Sequence, residues 1–155
     1  MISRRRTREY LLQLLYARAS LPTVFARDIF CESYYEESDM SIIDNAYLEM
    51  VEGLILTHER DLLDIIFALA PKFELETMPH IHILILMIAL TEMLYLTSET
   101  IPPQVSTNEA IELAKRFTDD QGKGFVNGAL STFLKDKDKL LSEKKTGTYK
   151  IFFAQ

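Results

Sequence analysis

Tryptophan is absent from this 155-residue chain, and Cys31 is its only cysteine. One thiol excludes an internal disulfide, so an apolar core has to hold the fold. A lone cysteine also suits a reducing compartment, and the cytoplasm is the expected location. Glycine and proline number five each. The prolines stand at junctions, which leaves long stretches without a helix breaker. The N-terminus has no apolar stretch of secretory type, so no signal peptide is expected there. The longest clean apolar run, residues 83–90, is too short to span a bilayer; residues 81–96 read as a buried core helix, not a membrane segment. Disorder is disfavoured too, because 48% of the residues are hydrophobic, enough for the core of one ordinary domain.

Motifs for catalysis and metal binding are also missing. His58-Glu59-Arg60-Asp61-Leu62 starts like a zinc-protease helix, but Leu62 stands where the second histidine is needed. His80 and His82 lie two apart, which on a helix points them to different faces. Neither they nor Cys31 has ligand spacing with the carboxylates. Gly122-Lys123-Gly124 with Gly128 lacks the GxGxxG order, a following Ser or Thr, and a preceding strand. It reads instead as a turn into the last helix with Lys123 exposed. There is no GxSxG elbow, and nothing supports a Cys31–His dyad. The chain is expected to be no enzyme and to carry no cofactor or metal.

What is present is helical periodicity. Apolar residues recur at helical spacing over residues 5–19 (Leu11, Leu12, Leu15, Ala19), 24–36, 42–69 with a polar break at 57–60, and 77–97. The pattern resumes near Ser106, where Ser106 and Glu109 have capping-box spacing, and again after a turn at 118–120, where Phe125, Val126, Ala129, Leu130, Phe133 and Leu134 form a stripe. Residues 72–76 predict a short turn and 101–103 an extended connector. The fold class is all-α, about seven helices. Residues 1–141 make the domain and 142–155 a C-terminal tail, in which Tyr149, Ile151, Phe152 and Phe153 are candidates to dock.

Charge is segregated along the chain. Five arginines against one glutamate give residues 1–26 a charge of +4, and residues 115–155 also carry +4; residues 27–64 carry -9 and 65–114 carry -5, for a net charge of -6. If the fold joins the two basic ends, a basic patch forms on an acidic protein; otherwise these are separately solvated faces. Arg4, Arg5, Arg6 and Arg8 crowd a helix start, where the helix dipole disfavours cations. A phosphate backbone is a natural counter-charge for them. Tyr16 behind them is either a base-stacking ring or a core residue with its hydroxyl at the surface, and Phe125 has the same two readings. Single-stranded RNA fits better than duplex DNA, since no major-groove reading helix or zinc module is evident.

The segment Arg4-Arg5-Arg6-Thr7-Arg8-Glu9 leading to Gln13-Leu14-Leu15-Tyr16 resembles the start of the NusB family of transcription antitermination factors. Ile88-Ala89-Leu90-Thr91-Glu92 resembles its central helix. The most specific likeness is Asn108-Glu109-Ala110-Ile111-Glu112-Leu113-Ala114-Lys115-Arg116-Phe117, followed by Phe125-Val126-Asn127-Gly128-Ala129-Leu130. Together these cover about residues 3–134. The resemblance implies two small three-helix-like subdomains packed together and a non-enzymatic role. It implies pairing with NusE, a small-subunit ribosomal protein, and binding of boxA-type RNA within an elongation complex that holds other Nus factors. Such a pair supports transcription of ribosomal RNA operons. By motif, Arg4, Arg5, Arg6, Arg8 and Tyr16 would lie on the RNA surface, with Gln121, Lys123 and Phe125 beside them.

The chain departs from the family pattern at two places. Gly124 stands where a basic residue often precedes the Phe-Val-Asn-Gly motif, and Lys123 is the nearest substitute. The central helix starts with His80, Ile81, His82, Ile83 and later Met87 where the family is more charged. That region is near the expected NusE contact, so either partner recognition is altered or the extra apolar surface makes a homodimer. Two other functions compete: the NusB-like RNA-binding helper region of a ribosomal RNA methyltransferase, for whose catalytic domain this length has no room, and a helical adaptor without RNA contact.

Overall fold

The computed structural model describes residues 1–21, 25–37 (without the side chains of 35–37), 40–70, 78–96, 99–143 and 153. Among these residues there are seven α-helices and no strand: α1 (Arg4–Ser20), α2 (Arg27–Glu37), α3 (Asn45–Thr57), α4 (Glu59–Leu69), α5 (His80–Leu94), α6 (Pro103–Phe117) and α7 (Asp120–Glu143). One turn of 3₁₀ helix at Met40–Ile42 precedes α3.

The centre is α5, as its all-round apolar character requires. Every residue from Ile83 to Glu92 is buried, and α5 packs against α1, α3, α4, α6 and α7. Helices α1 and α3 pack on α5 with α2 lying against α1, and α4, α6 and α7 form a second group that shares α5. The two expected subdomains thus meet in one continuous core, to which Tyr10, Leu11, Leu14, Val51, Ile55, Leu62, Ile66, Leu113, Val126, Leu130 and Phe133 contribute. No helix of the described residues is long and apolar enough to cross a membrane.

Helix ends differ from the periodicity in instructive ways. The long 42–69 stretch divides at His58, which ends α3 and starts α4; its ring stacks on Tyr95 at 3.9 Å, fixing that corner against the end of α5. The cap of α3 is Asp44, whose carboxylate accepts the Tyr47 amide at 3.1 Å. Helix α6 begins at Pro103, three residues before the expected Ser106 cap, because proline suits a first helical position. Helix α7 takes in Gly122, Lys123 and Gly124, so the expected glycine turn is helical, and non-helical dihedrals at Asp136 kink the helix near its end. The 72–76 turn, Ser38 and Asp39, and Tyr149, Ile151 and Phe152 lie outside the described residues. Phe153 is buried, and its amide donates to Glu59 Oε2 at 3.3 Å.

Candidate nucleic-acid interface

Helix α1 is capped by Ser3, whose hydroxyl oxygen accepts the Arg6 amide at 3.2 Å, and whose own amide donates to Ile42 O at 2.7 Å. The first turn of α1 holds no acidic residue. Carboxylates from other elements provide the missing counter-charge. Arg4 lies between Asp44 at 2.9 Å and Glu99 at 2.8 Å, with its guanidinium 4.4 Å over the Tyr47 ring. Arg5 makes two 3.0 Å bonds to Glu109. Arg8 is 4% exposed and holds Glu92 with bonds of 2.7 and 3.0 Å. Burial works against the Arg8 charge, but Glu92 more than offsets it and the guanidinium stays firmly protonated.

The helix-dipole argument for phosphate is therefore met mostly from within the protein. Arg8 has no surface for a phosphate and serves the core. Arg4 and Arg5 reach the surface but are engaged. Arg6 is the least committed: its side chain is 53% exposed, and its nearest carboxylate is Glu9 at 4.0 Å.

Glu92 gathers more than Arg8. It accepts the Tyr47 hydroxyl and the Ser106 hydroxyl, the latter at 2.9 Å. This explains why Ser106 is no cap: it is buried inside α6 and aimed at α5. Its expected capping-box partner, Glu109, turns to Arg5 instead. Burial, then the Glu92 charge, pushes the Tyr47 phenol far above its ordinary pKa, so it stays a donor.

Outward from this anchor, Arg6, Glu9, Gln13 and Tyr16 follow one another along one side of α1 at spacings of three and four, with Arg6 and Tyr16 exposed and Glu9 and Gln13 half-buried between them. Tyr16 is 45% exposed, whereas Tyr10 is buried with its hydroxyl bonded to Cys31 Sγ at 3.0 Å. The link from α1 to the other basic end runs through Arg116, a residue that the sequence reading passed over. Arg116 Nε lies 3.6 Å from Glu9 Oε2, and its side chain is 58% exposed. Two residues later the chain turns at Thr118 and Asp119 into α7.

At that turn the Asp119 carboxylate accepts the Gly122 amide at 2.8 Å. Gln121 is exposed, and Lys123 and Phe125 are half-buried. The Phe125 ring lies 5.7 Å from His82 of α5, nearly parallel to it. Gly122 is what lets α7 come so close: a Cβ there would stand 2.5 Å from Thr118 Oγ1 and 2.6 Å from His82 Nε2. Helix α6 contacts both α1, which carries Tyr16, and α7, which carries Phe125. The apolar start of α5 is mostly core, since Ile83 and Met87 are fully buried, which leaves His80, Ile81 and His82 as the part with any exposure. No group of three or more His, Cys, Asp or Glu among the described residues could hold a metal ion.

The NusB family model matches residues 5–135. A transcription antitermination protein NusB of Bacillus subtilis is 36% identical over 136 residues, covering 87% of this chain and 97% of that protein. One of Clostridium perfringens is 34% identical over 139 residues, covering 87% and 98%. One of Chloroherpeton thalassium is 36% identical over 152 residues, covering 90% of this chain and 65% of that protein.

Proposed function

The chain belongs to the NusB family, and from that membership we propose that it is a non-enzymatic cytoplasmic transcription antitermination factor. It binds boxA-type single-stranded RNA together with a NusE-type ribosomal protein, in an elongation complex with other Nus factors, and supports ribosomal RNA transcription. The observation that carries this reading is the pair of exposed residues Arg6 and Tyr16 on α1, with half-buried Gln13 between them and Arg116 beside them, on a protein whose net charge is -6. Guanidinium groups recognise phosphates without reading sequence. An exposed tyrosine beside them offers a face on which an unpaired base can stack. Gln121, Lys123 and Phe125 would extend that surface from the start of α7. Arg4 and Arg5 would flank it, exchanging a carboxylate for a phosphate as RNA arrives, and Arg8 would support it from inside.

Titrating labelled boxA-type RNA with the chain, with and without the NusE-type protein, tests the proposal. Enhancement of RNA affinity by the partner supports it, and no enhancement counts against it. One observation favours the adaptor reading instead: Arg4, Arg5 and Arg8 all carry close carboxylate partners. The adaptor reading requires that no RNA binding be found under any of these conditions.

A further inference from the structure

We propose that Arg116 is a phosphodiester-binding residue, and that it forms with Arg6 a two-guanidinium clamp around Glu9. This rests on the RNA-binding reading above and adds a residue that lies within the 108–117 motif but is not among those the resemblance places on the RNA surface.

The geometry is simple. Glu9 stands on α1 with Arg6 Nε 4.0 Å away on its own helix and Arg116 Nε 3.6 Å away on α6. Both arginine side chains are more than half exposed, while that of Glu9 is only 13% exposed. One carboxylate thus faces two cations and leaves the cluster with an excess positive charge directed to solvent. Neither separation is a close bidentate pair, unlike Arg5–Glu109 or Arg8–Glu92. Loose exposed pairs contribute little to stability, so the two guanidiniums are held near one another without being used up. The Phe117 ring lies 5.8 Å beneath the Arg116 guanidinium, supporting its reach outward.

Position adds to charge. Arg116 occupies the last turn of α6, where the helix dipole favours a cation. It lies on α6, which contacts both α1 and α7, beside Glu9 of α1 and two residues before the Thr118–Asp119 turn into α7. A phosphodiester bridging Arg6 and Arg116 would let one strand pass from one region to the other. In the clamp Glu9 spaces the arginines and competes with phosphate for them.

The test is a titration of labelled boxA-type single-stranded RNA, with the NusE-type protein present, over a series of salt concentrations. Arg116→Gln is expected to bind about fivefold more weakly, with a salt slope shallower by about 0.7, the loss of one phosphate contact on a single strand. Arg116→Glu is expected to bind more weakly still. Lys139→Gln, which removes one exposed positive charge near the far end of α7, is expected to bind as the unsubstituted chain does. Circular dichroism confirms that each variant is folded. If the unsubstituted chain binds RNA and Arg116→Gln keeps its affinity and salt slope, the clamp is wrong while the RNA-binding reading stands. If Lys139→Gln loses as much as Arg116→Gln, net charge and not a site explains the effect, and the clamp is again overturned. If the unsubstituted chain does not bind RNA, the functional reading falls and the clamp with it.

Discussion

Glu92 holds three donors from three other helices: Arg8 of α1, Tyr47 of α3 and Ser106 of α6. Burying an ion pair costs solvation, and only full hydrogen bonding offsets that cost. Arg8→Met would leave Glu92 buried without its cation, and we expect a loss of about 3–5 kcal/mol in urea denaturation. The double variant Arg8→Met with Glu92→Leu should lose much less, because no charge is stranded. Gly122 gives a second residue-scale prediction. Alanine favours helix, yet its Cβ would run into Thr118 and His82, so Gly122→Ala should lower stability by about 1–3 kcal/mol; a rise in the thermal midpoint would contradict the close approach. At this scale sequence reasoning found the arginines but not their partners. Nothing in linear order announces that Glu99 and Glu109 lie beside Arg4 and Arg5, at separations of 95 and 104 residues.

At the scale of the helix, α1 has a core face and an outward face. Tyr10, Leu11, Leu14 and Leu15 face the core, and Arg6 and Tyr16 face outward. We therefore expect Arg6→Glu and Tyr16→Asp to weaken RNA binding while leaving helical circular dichroism unchanged. The loss for Tyr16→Asp should be roughly 1–3 kcal/mol if a base stacks on the ring. Lost helicity in either variant would make the residue structural. The packing of α5 on α7 carries a pH dependence. Burial lowers the His82 pKa below its ordinary 6.5, against an opposing pull from Asp119. The unfolded chain then takes up the proton first, so stability is full above about pH 6.5 and falls as the pH drops toward the folded pKa. The thermal midpoint should fall between about pH 7.5 and about pH 5.5 by more in the unsubstituted chain than in His82→Gln. Helix interiors were legible from apolar spacing, and so was the start of α1, whereas the starts of α6 and α7 were not. Pro103 starts α6 ahead of the more familiar Ser106 signal, and Asp119 caps a helix that swallows three glycine-region residues read as a turn.

Across the whole molecule, the charge count anticipated two basic ends but left open whether they meet. They are linked through Glu9 and Arg116, a connection that required α6 to be placed between α1 and α7. The central place of α5 was readable from its uninterrupted apolar run, and so was an all-helical fold. Ile83 and Met87 are fully buried, as a core helix over 81–96 requires, which leaves only His80, Ile81 and His82 of the start of α5 for any surface role. The acidic remainder of the protein should repel RNA outside the arginine–tyrosine face, so binding should be confined to that face and weaken steeply with salt. The most direct test is a fluorescence-anisotropy titration of boxA-type RNA with the full chain, alone and with the NusE-type protein. The account predicts tighter binding when the partner is present, with the gain diminished by Tyr16→Asp; equal RNA affinity with and without the partner would contradict it.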